Sequence, residues 1–589
     1  MRLVQILICA LVLAAMSSPI LAAPRVVFVP GIMGSKLKVG GDSIWGEGVF
    51  DSPKLVYPGE MPAVAEALGV AEVKILGLTF EQTVYKKLYE VGASLATDSD
   101  LLPFNYDWRQ SNRLSADQLA VFLCALEAED GGGISGHSMG GLVIKHWLLN
   151  HRTQACPDGH VPSVGTVAFL ATPHFGSMSA FTSLVDATVI KPGWDWLVAG
   201  GLNRYGYTFD SIYELLPVAT ASEGKFGSSP RCSSTRFVDN VPLPNVSVRP
   251  VGADVTPVHL FDARTYEKLG IFKRFDLLGQ TDDHFQYLQD KLDRAEAAIC
   301  DLLKFEEPAG IKFHYIAGQQ AGPPGTAHLL TFYESDPPPA ADRSIAGASR
   351  SYDYSLDYSI GDGTVDRTAA LAARNPFLDY EGVMTELVTS GHQEIVDELS
   401  VATLLSTVSG VAPNYLRHVQ TASYTSPRAY SAFIQGLAGT LQASERADVV
   451  AAVSSNPIWA AYSPMDWYRV AQETNNPVLF EAVAKDAEVN PLYKAWAYQN
   501  SGAIYAKANL PTDAARALRA AIAASQGLPE TDQIKIQPKA YSSLGWVFLE
   551  QGYGDEAEPL FKSALDIKPD SSLPALGLEY ILIDRGGAL

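Results

Sequence analysis

The pentapeptide Gly136-His137-Ser138-Met139-Gly140 constrains this chain more than any other stretch. A bare GxSxG arises by chance in roughly one chain in four of this size, so its setting decides what it means. Gly141 and the mostly apolar stretch Leu142 to Leu149, LVIKHWLL, follow at once and read as a helix. Strand, sharp turn and helix is the arrangement that lifts a serine hydroxyl above the edge of a sheet. Small neighbours permit the turn, and the helix N-terminus favours a developing negative charge. Ser138 is therefore the expected nucleophile. The feeding segment Gly131-Gly132-Gly133-Ile134-Ser135 lacks branched apolar residues, so a short or loosely packed strand is expected there.

The surroundings carry the same grammar. Val26 to Val29 ends at Pro30-Gly31, Thr166 to Leu170 ends at Thr172-Pro173, and Ile311 to Ala317 ends at Gly318. Strand, Gly/Pro loop, then helix predicts an α/β domain with a mostly parallel sheet over residues 24–426. From about 177 to 307 the pattern fades into Gly, Ser, aromatics and isolated helical pieces, which reads as a cap inserted over the sheet.

A serine hydroxyl needs an adjacent base, and the base needs a carboxylate to fix its tautomer. In a fold of this type the chain order is Ser, then Asp or Glu, then His. His392 sits in Ser390-Gly391-His392 after the extended run Met384 to Val388, whereas His418 has no such setting and reads as a surface histidine. Asp362, in the turn Ile360-Gly361-Asp362-Gly363-Thr364-Val365, is the expected acid, with Asp366 its rival. Oxyanion donors are expected from the backbone N–H of Met139 and from the loop Pro30 to Ser35, at Ile32.

Met1 to Ala23 holds one charge, Arg2, a run from Leu3 to Met16 that is apolar except for Gln5, and closing small residues, the layout of a secretory signal peptide. Export to a periplasmic or extracellular space is expected. Of 5 cysteines, Cys9 would leave with that segment, and the remaining four suggest Cys124–Cys156 and Cys232–Cys300 bridges. No CxxC or HExxH is present, so neither a metal nor another cofactor is expected. With 44 basic and 65 acidic residues the net charge is −21, which repels phosphate backbones and excludes nucleic acid as a partner. Contact with a membrane surface would have to be apolar.

After about Pro427 the chain turns to Ala-rich helices, read as an all-α domain over 427–589. Tyr498, Gly502, Tyr505, Ala514 and Leu518 recur as Tyr541, Gly545, Phe548, Ala557 and Phe561, each offset by 43 residues. Tetratricopeptide repeats have a period of about 34, so roughly nine extra residues are expected to loop out around Ser525 to Gln533. A degenerate copy is expected near Asp466 to Pro491, and the tail is a candidate surface for a protein partner. A chain cut near Pro427 is expected to keep its catalytic residues.

Together the segments Val27 to Ser35, Tyr106-Asp107-Trp108-Arg109, Gly136 to Gly141 and Gly361 to Val365 resemble the lecithin:cholesterol acyltransferase family, of the α/β-hydrolase fold. Glu214-Leu215-Leu216-Pro217 and Thr172 to Ser177 look familiar from it too. The resemblance implies Ser138, Asp362 and His392 as a triad, with an oxyanion donor from the Ile32 loop. It implies a lipid ester as substrate and an alcohol as acyl acceptor, with water as acceptor in a phospholipase, lipase or esterase. Trp45 looks like a lid tryptophan touching the acyl chain, the alternative being a surface aromatic, and Trp108 is the second candidate for substrate contact. Asp107 and Arg109 read as a structural ion pair. A rival from another class is a catalytically inert scaffold that binds a protein through its helical repeats.

Overall fold

The computed structural model describes residues 26–48, 53–57, 63–75, 78–90, 101–126, 132–185, 205–218, 245–269, 284–320, 325–334, 352–397 and 414–584, apart from a few positions within these ranges. The expected signal segment, Gly131, Cys232 and much of the expected cap lie outside the described residues.

Six strands form the main sheet: β1 (Val26–Val29), β2 (Leu101–Pro103), β3 (Gly132–His137), β4 (Val164–Leu170), β5 (Lys312–Gly318) and β6 (Val383–Val388), in the order β6-β5-β4-β3-β1-β2. β1 pairs in parallel with β2 and β3, and β3 with β4. All four residues of β1 are buried, as expected of a strand covered on both faces. Despite its glycines β3 is not short. It runs six residues and is paired on both sides, with Ile134 and Ser135 buried.

Helix α1 (Asn112–Ala125) packs on α2 (Met139–Asn150), the helix that follows β3. The expected Cys124–Cys156 bridge is present and joins the end of α1 to the loop beyond α2. Cys300 is also disulfide-bonded. Within the expected cap, the helices Met178–Val185, Ala263–Lys268 and His284–Leu303 and the strand Asn245–Arg249 are described.

Among the described residues the chain divides into two compact units. One lies within Met1–Phe313, Ala327–Asp357 and Leu404–Val411, the other within His314–Thr326, Tyr358–Thr403 and Ala412–Leu589. The helical tail therefore shares a unit with Asp362 and His392, although the sequence suggests a boundary at residue 426.

The tail is all helix. Its later part comprises α4 (Pro464–Thr474), α5 (Pro477–Lys485), α6 (Pro491–Lys507), α7 (Pro511–Ser525), α8 (Glu530–Glu550), α9 (Gly554–Ile567) and α10 (Ser572–Asp584), numbered after α3 (Arg367–Ala370) in the segment before it. Each packs on the next. The five-residue repeat has a physical basis here: a Cβ on Gly502 would lie 2.5 Å from Leu518, and one on Gly545 would lie 2.6 Å from the ring of Phe561. The two glycines thus let α6 and α7, and α8 and α9, approach to the same degree. The extra residues do not loop out. The connection after Ser525 is short, and α8 starts at Glu530 and runs 21 residues against 17 in α6, so part of the insertion became helix. A helical pair, α4 and α5, occupies the place of the expected degenerate copy.

Candidate active site

Ser138 stands between β3 and α2 with φ 52 and ψ −126, a backbone conformation that side chains larger than glycine rarely adopt. The strain is imposed by close packing. A Cβ on Gly140 would lie 2.2 Å from the carbonyl oxygen of Val29, so the first turn of α2 rests directly on the end of β1. Ser138 N–H donates to the Leu170 carbonyl at 2.8 Å, which fixes the turn to β4 as well. The Ser138 side chain makes no capping hydrogen bond to the helix. Met139 is fully buried and opens α2, which makes its N–H one of the donors a helix N-terminus leaves over.

The loop after β1 lies against this turn. A Cβ on Gly31 would come 2.9 Å from the Ser138 Cβ, and half-buried Ile32 is the next residue. Four aromatic side chains hold the loop's backbone. Tyr106 Oη donates to the Pro30 carbonyl at 2.8 Å and Trp45 Nε1 to that of Met33 at 3.0 Å. Trp108 Nε1 donates to the Ser35 carbonyl at 3.1 Å, and Gly31 N–H donates to Tyr85 Oη at 3.0 Å. Tyr85 Oη also meets His137 Nδ1 at 2.8 Å. Burial drives the Tyr85 phenol far above its ordinary range, so it stays protonated. Trp45 and Trp108 are both buried and packed edge to face at 5.2 Å, so Trp45 is not a surface aromatic. Their indole N–H groups serve the loop.

Arg109 is buried and paired with Asp107 at 2.7 Å, and its guanidinium also donates to the carbonyls of Lys54, Leu55 and Val56. This pair is a brace for the chain at 54–56. Glu214 is a second buried acid with a structural task. It accepts from Ser111 Oγ at 2.6 Å and from Asn112 N–H at 2.7 Å, at the start of α1. Burial pushes its carboxyl up to about 7, against the lowering effect of those two donors.

In the second unit, Asp362 is fully buried and accepts through Oδ2 from His392 Nδ1 at 2.7 Å. Its Oδ1 accepts from the N–H groups of Thr364 at 2.9 Å and Val365 at 2.7 Å. His392 N–H returns a bond to the Asp362 carbonyl at 3.0 Å. A carboxylate can only accept, so Nδ1 carries the proton and Nε2 is left as a base. A Cβ on Gly318, at the end of β5, would lie 2.7 Å from the Asp362 Cβ, so the acid is pressed against that strand. Asp366, the rival acid, caps α3 instead, accepting from the N–H groups of Thr368 and Ala369. His418 is exposed on the helix Asn414–Thr421.

The structure thus joins Asp362 to His392 in one unit and sets Ser138 against the Ile32 loop in the other. The aromatic anchors Tyr85 and Tyr106 carry no motif of their own as anchors. In the sequence, only the position of Tyr106 beside Trp108 in YDWR hints at a role.

A family model described as lecithin:cholesterol acyltransferase matches residues 70–232, a span that holds Ser138 and Glu214. No curated protein matches the chain. Among solved structures, a chain in "The crystal structure of Tle4-Tli4 complex" is 14% identical, with 65% of this chain and 98% of that one covered. Its TM-score of 0.43 is too low to bear on the argument.

Proposed function

We propose that this protein is an exported serine enzyme that moves acyl groups from lipid esters through an acyl-enzyme on Ser138. The observation that carries the reading is the strained backbone at Ser138, held between β1 and α2, because strain of that kind persists where a hydroxyl must be presented to a substrate. The family match over residues 70–232 supports a lipid ester as substrate. The Asp362–His392 pair supports the base.

In this mechanism His392 Nε2 takes the Ser138 proton as Oγ attacks the ester carbonyl, and Asp362 holds the imidazole in the required tautomer. The N–H groups of Met139 and Ile32 receive the oxyanion. His392 then gives its proton to the departing lyso-lipid or alcohol. An alcohol hydroxyl or water, deprotonated in turn by His392, attacks the acyl-enzyme and frees Ser138. The chemistry calls for no metal or cofactor. The paired helices of the tail are read as tetratricopeptide-like units, a surface of the kind that binds proteins.

The test is product analysis with phosphatidylcholine, with and without a sterol or simple alcohol. A new ester marks a transferase, and free fatty acid alone marks a lipase. Folded protein that yields neither from any ester of a lipid panel would refute the reading.

A further inference from the structure

Tyr85 joins two parts of the site that are far apart in sequence. Its hydroxyl oxygen accepts from Gly31 N–H at 3.0 Å and lies 2.8 Å from Nδ1 of His137, the residue before the nucleophile. The Tyr85 side chain is fully buried, so its hydroxyl hydrogen must also find an acceptor. Among the described residues, His137 Nδ1 is the acceptor within its reach. The direction of each bond follows. Gly31 donates to Tyr85, Tyr85 donates to His137 Nδ1, and the proton of neutral His137 resides on Nε2.

We propose that Tyr85 is a positioning residue for acyl transfer, locking the loop that carries Ile32 to the turn that carries Ser138 through the chain Gly31 N–H to Tyr85 Oη to His137 Nδ1. The proposal rests on Ser138 being the nucleophile. Tyr106, Trp45 and Trp108 each fasten this loop at a carbonyl, whereas Tyr85 fastens it at an N–H and also grips the elbow. Tyr85 therefore fixes the distance between the loop's donor and the serine oxygen. Phe28 packs edge-on against the Tyr85 ring at 5.0 Å, so a phenylalanine would keep its place and remove the bridge alone.

The test begins with the rate at which a fluorophosphonate labels Ser138, because phosphonylation builds negative charge where the oxyanion would form. Wild-type protein should label at Ser138, and Ser138→Ala should not. Tyr85→Phe should label roughly 10- to 100-fold more slowly per folded molecule. Its kcat on an ester should fall by the same factor, with KM little changed. A role limited to stability would lower the yield of folded protein and leave that rate alone.

A second pair of variants decides the matter if Tyr85→Phe does not fold. His137→Asn keeps an acceptor oxygen at the position of Nδ1, and the near-isosteric His137→Leu does not, so the asparagine variant should label distinctly faster. Folded Tyr85→Phe at the wild-type rate, or asparagine and leucine variants of equal rate, would overturn the proposal and leave Ser138 in place. Wild-type protein that does not label overturns the reading of Ser138 and the proposal with it.

Discussion

Two aspartates four residues apart have opposite tasks, and substitution should separate them. Asp362 gives one oxygen to His392 and the other to two backbone N–H groups, so Asp362→Asn should fold yet lose roughly 10³- to 10⁴-fold in kcat through the wrong imidazole tautomer. Asp366→Ala removes a helix cap and should cost about 1 kcal/mol in denaturant unfolding while leaving kcat nearly intact. Glu214 makes a pH prediction. Its folded pKa is raised to about 7, so the folded state holds the proton more tightly than the unfolded chain does. The corresponding stability is complete below about pH 4.3, the ordinary range of a free glutamate, and is lost as pH rises through about 7. Thermal unfolding should therefore fall between pH 5 and pH 8, and Glu214→Gln should flatten that fall; an identical slope in both proteins would contradict the assignment. The turns that hold Ser138, Asp362 and His392 could be picked out in the sequence because glycines and extended runs mark them, and the structure brings Asp362 and His392 together. Tyr85 was not, because its partners lie 54 and 52 residues away and nothing in Val84-Tyr85-Lys86 announces a bridge.

At the scale of elements, apolar runs ending in Gly or Pro read correctly as strands, and β1 and β4 are where those runs fall. The glycine-rich β3 misled because its stability comes from neighbours on both sides, which composition cannot display. The Cys124–Cys156 bridge closes a loop with a sequence separation of 32 residues, and replacing both cysteines by alanine should cost roughly 3–4 kcal/mol in denaturant unfolding. Within the tail, Gly545→Ala would drive a methyl group into the Phe561 ring, which is itself fully buried. A loss of about 1–3 kcal/mol is expected, and Gly545→Ala with Phe561→Leu should recover part of it. The five-residue pattern was readable from spacing, and at its glycines the structure shows close helix approach. The fate of its insertion was not, since a surface stretch such as Thr531 to Lys535 suits a longer helix as well as a loop.

At the scale of the molecule, the tail is bound to the segment that holds the acid. Arg367 Nη2 donates to the Gln551 carbonyl at 2.8 Å, and its guanidinium lies over the Tyr553 ring at 4.8 Å. Asn375 Nδ2 donates to Glu556 at 3.1 Å, and Leu387 of β6 packs against the tail's core. Removal of 427–589 would strip these partners away, so a chain cut at 427 should lose its activity and expose residues 358–397 to proteases, contrary to what sequence boundaries alone suggest. A cut chain with that segment protected and the rate unchanged would restore the view of the tail as an accessory. The central claim, that the Asp362–His392 pair activates Ser138, is met most directly by mapping a fluorophosphonate adduct and timing its formation in wild-type protein and in His392→Ala. The account predicts an adduct on the peptide holding Ser138 that forms at least about a thousandfold more slowly in the folded variant. Equal rates in the two proteins would contradict it.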